Sequence, residues 1–222
     1  MSHRCGYAAL VGRPNVGKST LLNRLVGQKL SITAHRPQTT RHRIMGIKTL
    51  PDAQLLYVDT PGFHPGYRRA LNRYMNAVVT EASETVDVVI FVAAALAWRD
   101  EDDQLLRKVA GHPRLILAVN KVDTVRDKAQ LLPFLQKTAA KADFRQVVPV
   151  SARTGANADA LEREAAALLP AGPALYPEDQ VTDRSLRFLA GEAVREQLMR
   201  LLGDELPYLT AVDVDVYAEE PG

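Results

Sequence analysis

The stretch Gly12-Arg13-Pro14-Asn15-Val16-Gly17-Lys18-Ser19 constrains this chain more than any other, because it fits the pattern G-x-x-x-x-G-K-S/T at every fixed position. Its flanks fit as well. The apolar run 7–11 suits a buried strand, and 19–26 reads as a helix with Leu21, Leu22 and Leu25 on one side. Strand, glycine-rich turn and helix together make a phosphate cradle. Gly12 and Gly17 let the backbone turn so that successive N–H groups point inward, and the helix N-terminus adds partial positive charge. Gly12, Arg13, Pro14, Asn15, Val16, Gly17, Lys18, Ser19 and Thr20 are therefore the candidate phosphate-binding residues. Lys18 would reach the β- and γ-phosphates of a nucleotide, and the Ser19 hydroxyl would ligate Mg²⁺.

Downstream, residues 27–43 form a polar, irregular stretch that reads as a long loop. Loops of this kind are often functional, and Thr40, preferred here over Thr39, is the candidate for a second metal-ligating hydroxyl. Two strand-like runs, 44–50 and 54–58, flank Pro51-Asp52 and read as a hairpin; the second leads into Asp59-Thr60-Pro61-Gly62. An aspartate at a strand end beside the phosphate loop suits a water-mediated hold on Mg²⁺. Gly62, without a side chain, lets its N–H approach a γ-phosphate. The next residue is Phe63, whose ring cannot orient an attacking water, so slow unaided turnover is expected; His64 reads as a solvated histidine.

Base identity is set further on. The buried run 114–119 ends in Asn120-Lys121-Val122-Asp123. A carboxylate at Asp123 can accept from both N1–H and the 2-amino group of guanine, whereas adenine lacks that amino group and presents an acceptor at N1. Asn120 would brace the loop and meet N7, and the Lys121 stem would cover the base. Ser151-Ala152 falls at the end of the run 146–150, where the Ala152 N–H would donate to guanine O6. Helical patterns at 67–84, 100–109, 127–142 and 157–169 alternate with strands. The fold class is α/β: a mostly parallel sheet with helices on both faces and its ligand motifs at carboxyl ends of strands.

Composition narrows the setting. The chain has 222 residues, 46% of them hydrophobic, which is ample for one domain and a smaller appendage. With 28 basic and 26 acidic side chains the net charge of +2 neither demands nor excludes nucleic acid. The single cysteine, Cys5, rules out an intrachain disulfide framework and reads as a small core residue. There is no apolar run of membrane-spanning length and no signal-peptide pattern, so a cytoplasmic protein is expected. Three prolines and a glycine in 170–177 mark a boundary. Beyond it, Thr182-Asp183 is expected to cap a helix over 184–202 with Leu186, Leu189, Ala193, Leu198 and Leu201 near its inner face and Arg184, Arg187, Arg195 and Arg200 largely on the other. Residues 209–217 alternate valine and aspartate like a half-buried strand.

With these residues in view, the whole chain resembles the bacterial Era-type phosphate-loop GTPases. The resemblance rests on the phosphate loop, Pro37-Gln38-Thr39-Thr40-Arg41-His42-Arg43, Asp59-Thr60-Pro61-Gly62, Asn120-Lys121-Val122-Asp123 and Ser151-Ala152. It is sharper in Thr182-Asp183-Arg184, Arg187-Phe188, Glu192, Arg195-Glu196 and Glu205-Leu206-Pro207-Tyr208, which look like the entry to a KH domain. It implies a GTP-binding domain over 1–170, a linker over 171–183 and, over 184–222, the start of an α+β KH domain of type II, incomplete because no G-x-x-G loop follows the linker. It also implies a GTPase that assists small ribosomal subunit (30S) assembly and binds the 3′ end of small-subunit ribosomal RNA through the complete KH domain. In related GTPases an asparagine at the Asn15 position helps hold K⁺, so K⁺ joins Mg²⁺ as an implied cofactor.

Two functional descriptions fit this pattern. One is an Mg²⁺-dependent enzyme converting GTP to GDP and phosphate, with Lys18, Thr40 and Gly62 at the reacting phosphate. The other is a guanine-nucleotide-switched RNA- or ribosome-binding module in which hydrolysis is a slow timer. An ATP-dependent kinase or transporter subunit conflicts with Asp123. The basic cluster Arg68, Arg69 and Arg73 reads as a solvated helix face, with RNA or a peripheral contact at the inner membrane as its alternatives. A monomer is expected.

Overall fold

A computed structural model describes residues 3–33, 44–59, 85–201 and 211–218. The order of elements is β1 (Arg4–Val11), α1 (Lys18–Val26), β2 (Ile44–Thr49), β3 (Ala53–Asp59), β4 (Val88–Ala94), α2 (Asp100–Val109), β5 (Leu115–Asn120), α3 (Leu131–Ala139), β6 (Gln146–Pro149), α4 (Ala158–Leu168) and α5 (Leu186–Leu201). The strands form one six-stranded sheet in the order β2-β3-β1-β4-β5-β6. Only β2 runs antiparallel, as the hairpin partner of β3; the other pairings are parallel. From β1 the chain builds outward first to β3 and then to β4 on the opposite side, so the crevice at the carboxyl end of β1 is the switch point where such sheets bind ligands.

Alternate residues of the central strands supply two cores. Ala8, Leu10, Leu55, Tyr57, Ile90 and Val92 pack beneath α1 and α4 through Leu21, Leu22, Leu25, Leu161 and Ala165. Ala9, Val11, Phe91 and Val119 pack on the other face against Leu105, Leu106 and Val109 of α2, with Phe134 and Leu135 of α3 beside them. Near-continuous burial of β1, β3, β4 and β5 is what a parallel sheet covered on both faces requires. Cys5 is buried, as expected for a core residue.

Residues 170–182 run along the sheet as a strap. Cys5 donates its N–H to the Pro170 carbonyl at 3.1 Å and Ile47 to that of Val181 at 2.8 Å. The side-chain Oε1 of the buried Gln54 accepts the N–H groups of Leu175 and Tyr176 at 2.8 and 3.0 Å.

The C-terminal segment departs from expectation in three ways. Helix α5 starts at Leu186, and the Ser185 hydroxyl, not Thr182 or Asp183, accepts the Phe188 N–H in its first turn. Thr182 is turned instead into the sheet, donating to the Met45 carbonyl at 2.7 Å. The helix is also rotated from the expected face: Gly191, Glu192, Arg195, Glu196 and Met199 are buried and Leu186 is 57% and Leu201 80% exposed, although Leu189 packs against the core and Arg187 and Arg200 are exposed as expected. Glu196 is inward because the chain after α1 offers Lys29 and Thr33 as partners for it. Residues 211–218 form no strand. Val212 and Val214 are half-buried as the alternation predicts, but Val216 is 82% exposed; Val214 passes beside Gly191, where a Cβ would stand 3.4 Å from its methyl. Alternation specifies a face, but a strand also needs a neighbour to exchange hydrogen bonds, and among the described residues none pairs with this one.

Candidate functional site

The phosphate loop sits where β1 hands over to α1, at the centre of the sheet. Gly17 has a φ of +100°, and a Cβ on it would lie 2.4 Å from the Asn120 Nδ2. Gly12 approaches β4 so closely that a Cβ would lie 2.4 Å from the Val92 carbonyl oxygen. Both glycines are therefore required by space, and Gly17 by conformation as well. The Lys18 ammonium folds back to donate to the carbonyls of Gly12 at 2.8 Å and Arg13 at 3.1 Å. Burial lowers its pKa to about 8, with the Asp59 carboxylate opposing that shift.

Arg13, part of the same loop, is tied to α2. Its Nε donates to Asp102 Oδ2 at 2.8 Å and its Nη2 to the Ala97 carbonyl at 2.6 Å. Asp102 is fully buried and also accepts the Arg99 N–H at 2.9 Å. Burial pushes its carboxyl up, while the Arg13 guanidinium pulls it down. Nothing local in Asp100-Glu101-Asp102-Asp103 distinguishes this one acid from its neighbours, so sequence reasoning missed it.

Asp59 ends β3 fully buried, its register partner on β1 being Leu10 just ahead of the phosphate loop. Its Oδ2 accepts the hydroxyl protons of Ser19 at 2.8 Å and Ser31 at 2.9 Å. A serine hydroxyl and a carboxylate in contact are hard oxygen donors of the kind Mg²⁺ takes when phosphates complete its shell, and they fit that ion. No cluster of three or more His, Cys, Asp or Glu side chains suited to a metal occurs among the described residues. Thr40 and Gly62, together with Thr39, Phe63, His64, Arg68, Arg69, Arg73 and the helix expected over 67–84, lie outside the described residues.

The base-side residues converge from two strand ends. Asn120 donates to the Val16 carbonyl at 2.8 Å and accepts the Ala152 N–H at 2.9 Å, stitching the phosphate loop to the loop after β6. The Ala152 N–H, the candidate donor to guanine O6, is thus already engaged, and a base would share it with Asn120 or take it over. Lys121, with φ +66°, lays its stem toward the phosphate loop and donates to the Asn15 carbonyl. Asp123 accepts from the Ser151 hydroxyl at 2.6 Å and pairs with Arg153 at 2.6 Å. The Ser151 hydrogen bond is the chief reason its pKa lies below the ordinary carboxylate value, so it is ionised at neutral pH and able to accept two N–H donors. Asn15 is exposed, with φ +62°.

Comparison with known proteins adds an independent view. Residues 7–121 match the family model described as 50S ribosome-binding GTPase. The chain is 52% identical over 219 residues to GTPase Era of Pseudomonas fluorescens (strain Pf0-1), spanning 98% of this chain and 73% of that one. It is 53% identical over 221 residues to GTPase Era of Stenotrophomonas maltophilia (strain R551-3), 98% and 74% of the two chains. Among solved structures it is similar to a variant of Aquifex aeolicus Era bound to GDP.AlF4⁻, with a TM-score of 0.86, 38% identity and coverage of 92% and 70%. It is also similar to Era in complex with MgGDPNP and nucleotides 1506-1542 of 16S ribosomal RNA, with a TM-score of 0.87, 38% identity and coverage of 93% and 70%.

Proposed function

The chain belongs to the Era family of GTPases, and from that premise we propose that its phosphate loop, Asp59 and Asp123 bind GTP with Mg²⁺ and that its GTP hydrolysis serves small-subunit assembly through the 3′ end of 16S ribosomal RNA. The observation that carries this reading is the placement of Lys18, Ser19, Asp59, Asn120 and Asp123 about the carboxyl ends of β1, β3 and β5: Ser19 bonds Asp59 directly, Lys18 and Asn120 bond backbone carbonyls of the phosphate loop, and Ser151 holds Asp123. The Era complex with 16S ribosomal RNA favours the small subunit, and the similarity to it extends beyond the matched residues 7–121.

In this reading Lys18 exchanges its two carbonyl partners for phosphate oxygens and stabilises charge on the transferred group. Gly12 to Thr20 surround the phosphates, and Thr40 and Gly62 are assigned to the γ-phosphate. Bound Mg²⁺, held by Ser19 and Thr40 and through water by Asp59, would neutralise charge on the β- and γ-phosphates. Asp123 reads the N1–H and 2-amino group of guanine, Ala152 reads O6, and Lys121 covers the ring. Asn15 is proposed to contribute to a K⁺ site, and equal hydrolysis rates in K⁺ and Na⁺ would count against that role.

We assign residues 1–170 to the GTP-binding domain, 171–183 to the linker and 184–222 to the opening of a KH domain. The proposed setting is the cytoplasm, with the chain acting as a monomer. No helix among the described residues is long and apolar enough to cross a membrane. Binding to anionic vesicles would instead support peripheral contact with the inner membrane. The deciding experiment measures nucleotide binding and single-turnover hydrolysis with GTP against ATP, with and without an oligonucleotide matching the 3′ end of small-subunit ribosomal RNA. GTP-selective binding with hydrolysis is the expected result; equal binding of ATP would overturn the guanine assignment.

A further inference from the structure

We propose that Ser31 is a positioning residue for the Mg²⁺ site, holding the Asp59 carboxylate in place together with Ser19, and that Asn23 fixes Ser31 in turn. This rests on the reading of Ser19 and Asp59 as the Mg²⁺-facing pair. Ser31 is fully buried, and its hydroxyl donates to the same oxygen, Asp59 Oδ2, that Ser19 engages. Its backbone is clamped from α1: the Asn23 Oδ1 accepts the N–H groups of Leu30 and Ser31, each at 2.9 Å, and the Asn23 Nδ2 donates to the Ser31 carbonyl at 2.7 Å. One amide thus satisfies three backbone groups of the chain leaving α1. That arrangement fixes the backbone from which the Ser31 hydroxyl projects.

The chemical consequence concerns the direction of lone pairs. A serine hydroxyl can give its proton to a carboxylate while turning an oxygen lone pair toward a cation, so the Ser19–Asp59 contact aims the Ser19 oxygen. That aim holds only while Asp59 keeps one rotamer. With Ser31 in place, Oδ2 is tethered from two separate parts of the chain, α1 and the segment after it, which restricts rotation of the carboxylate about χ2. Hydrogen bonds to an ionised acceptor are the strong ones, so the second tether matters.

The test is the rate of release of fluorescently labelled GDP from this chain across an Mg²⁺ titration and in EDTA, for the parent, Ser31→Ala and Asn23→Ala. The parent is expected to release GDP more slowly as Mg²⁺ rises. Ser31→Ala should shift the midpoint to about tenfold higher Mg²⁺, the factor expected for one hydrogen bond to a charged group, while leaving the EDTA rate unchanged. Asn23→Ala should move the midpoint in the same direction, and Ser31→Thr, which keeps the hydroxyl, should restore it. An unshifted midpoint in both alanine variants, or equal acceleration with and without Mg²⁺, would overturn the proposal. A parent without any Mg²⁺ dependence would instead overturn the assignment of Ser19 and Asp59 on which it rests.

Discussion

The carboxylate of Glu196, on the C-terminal helix α5, accepts both the backbone N–H and the hydroxyl of Thr33, at 3.4 and 3.2 Å, across a separation of 163 residues. Lys29 and Arg200 complete the cluster around a side chain that is itself fully buried. Thr33 immediately precedes the stretch that carries Thr40, and Ser31, two residues earlier, touches Asp59. The C-terminal helix is therefore anchored to the segment that follows α1.

Removing the anchor should loosen α5 without dismantling the sheet. Glu196→Ala is expected to cost about 2 kcal/mol, less than a deeply buried pair would, because Lys29 and Arg200 are 58% and 48% exposed and regain water. Urea denaturation gives the cost. Limited proteolysis should then cut within 186–218 sooner than in the parent, and unchanged protection would argue that the apolar contacts of Phe188 and Leu189 hold the helix alone.

The same group sets a pH dependence with a definite sign. Burial alone would raise the Glu196 pKa, but Lys29, Arg200 and the Thr33 N–H together outweigh it, and the net shift is below the ordinary value of 4.5. A carboxyl with a depressed folded pKa contributes stability that is present above the unfolded value and lost as pH falls through the folded one. The stability difference between the parent and Glu196→Gln should therefore be full above pH 4.5 and shrink below it. Paired denaturation curves across that range check it; a constant difference would remove Glu196 from the acid transition.

Asp123→Asn should convert the base preference. An amide in place of the carboxylate offers only one acceptor oxygen and adds a donor, which suits the C2 carbonyl of xanthine. GTP affinity is expected to fall at least about tenfold while XTP affinity rises. Competition of labelled GDP by GTP, XTP and ATP reads this out, and an unaltered ranking would sink the role given to Asp123.

Gly17→Ala should be damaging for two independent reasons. The φ of +100° strains any L-residue, and the added methyl would meet the Asn120 Nδ2 at 2.4 Å. Loss of about 1–3 kcal/mol and of nucleotide binding is expected. Thermal unfolding and labelled-GDP binding measured together test it, since parent-like values in both would mean that the loop can relax.

Much of the site was legible because its chemistry is local. Gly12, Gly17, Lys18 and Ser19 are spaced by the geometry of one turn, and Asn120 and Asp123 by the end of one strand, so the chain order alone announces them. The strand and helix alternation worked for the same reason: a parallel sheet covered on both faces demands short apolar runs between amphipathic helices. The hairpin of β2 and β3 followed from the turn residues at Pro51-Asp52.

What the sequence determined by itself was thus the fold class, the phosphate cradle and the candidate guanine-reading residues, all written in spacings within a few residues. Tertiary structure alone decided that Ser31 would meet Asp59, that Asp102 would hold Arg13, and that α5 would bury Glu192, Arg195 and Glu196. Periodicity reveals that a helix has two faces, but which one is buried depends on what the opposing surface offers. Here Lys29 and Thr33 supply a cation and hydrogen-bond donors, so Glu196 goes inside and Leu186 and Leu201 stay out.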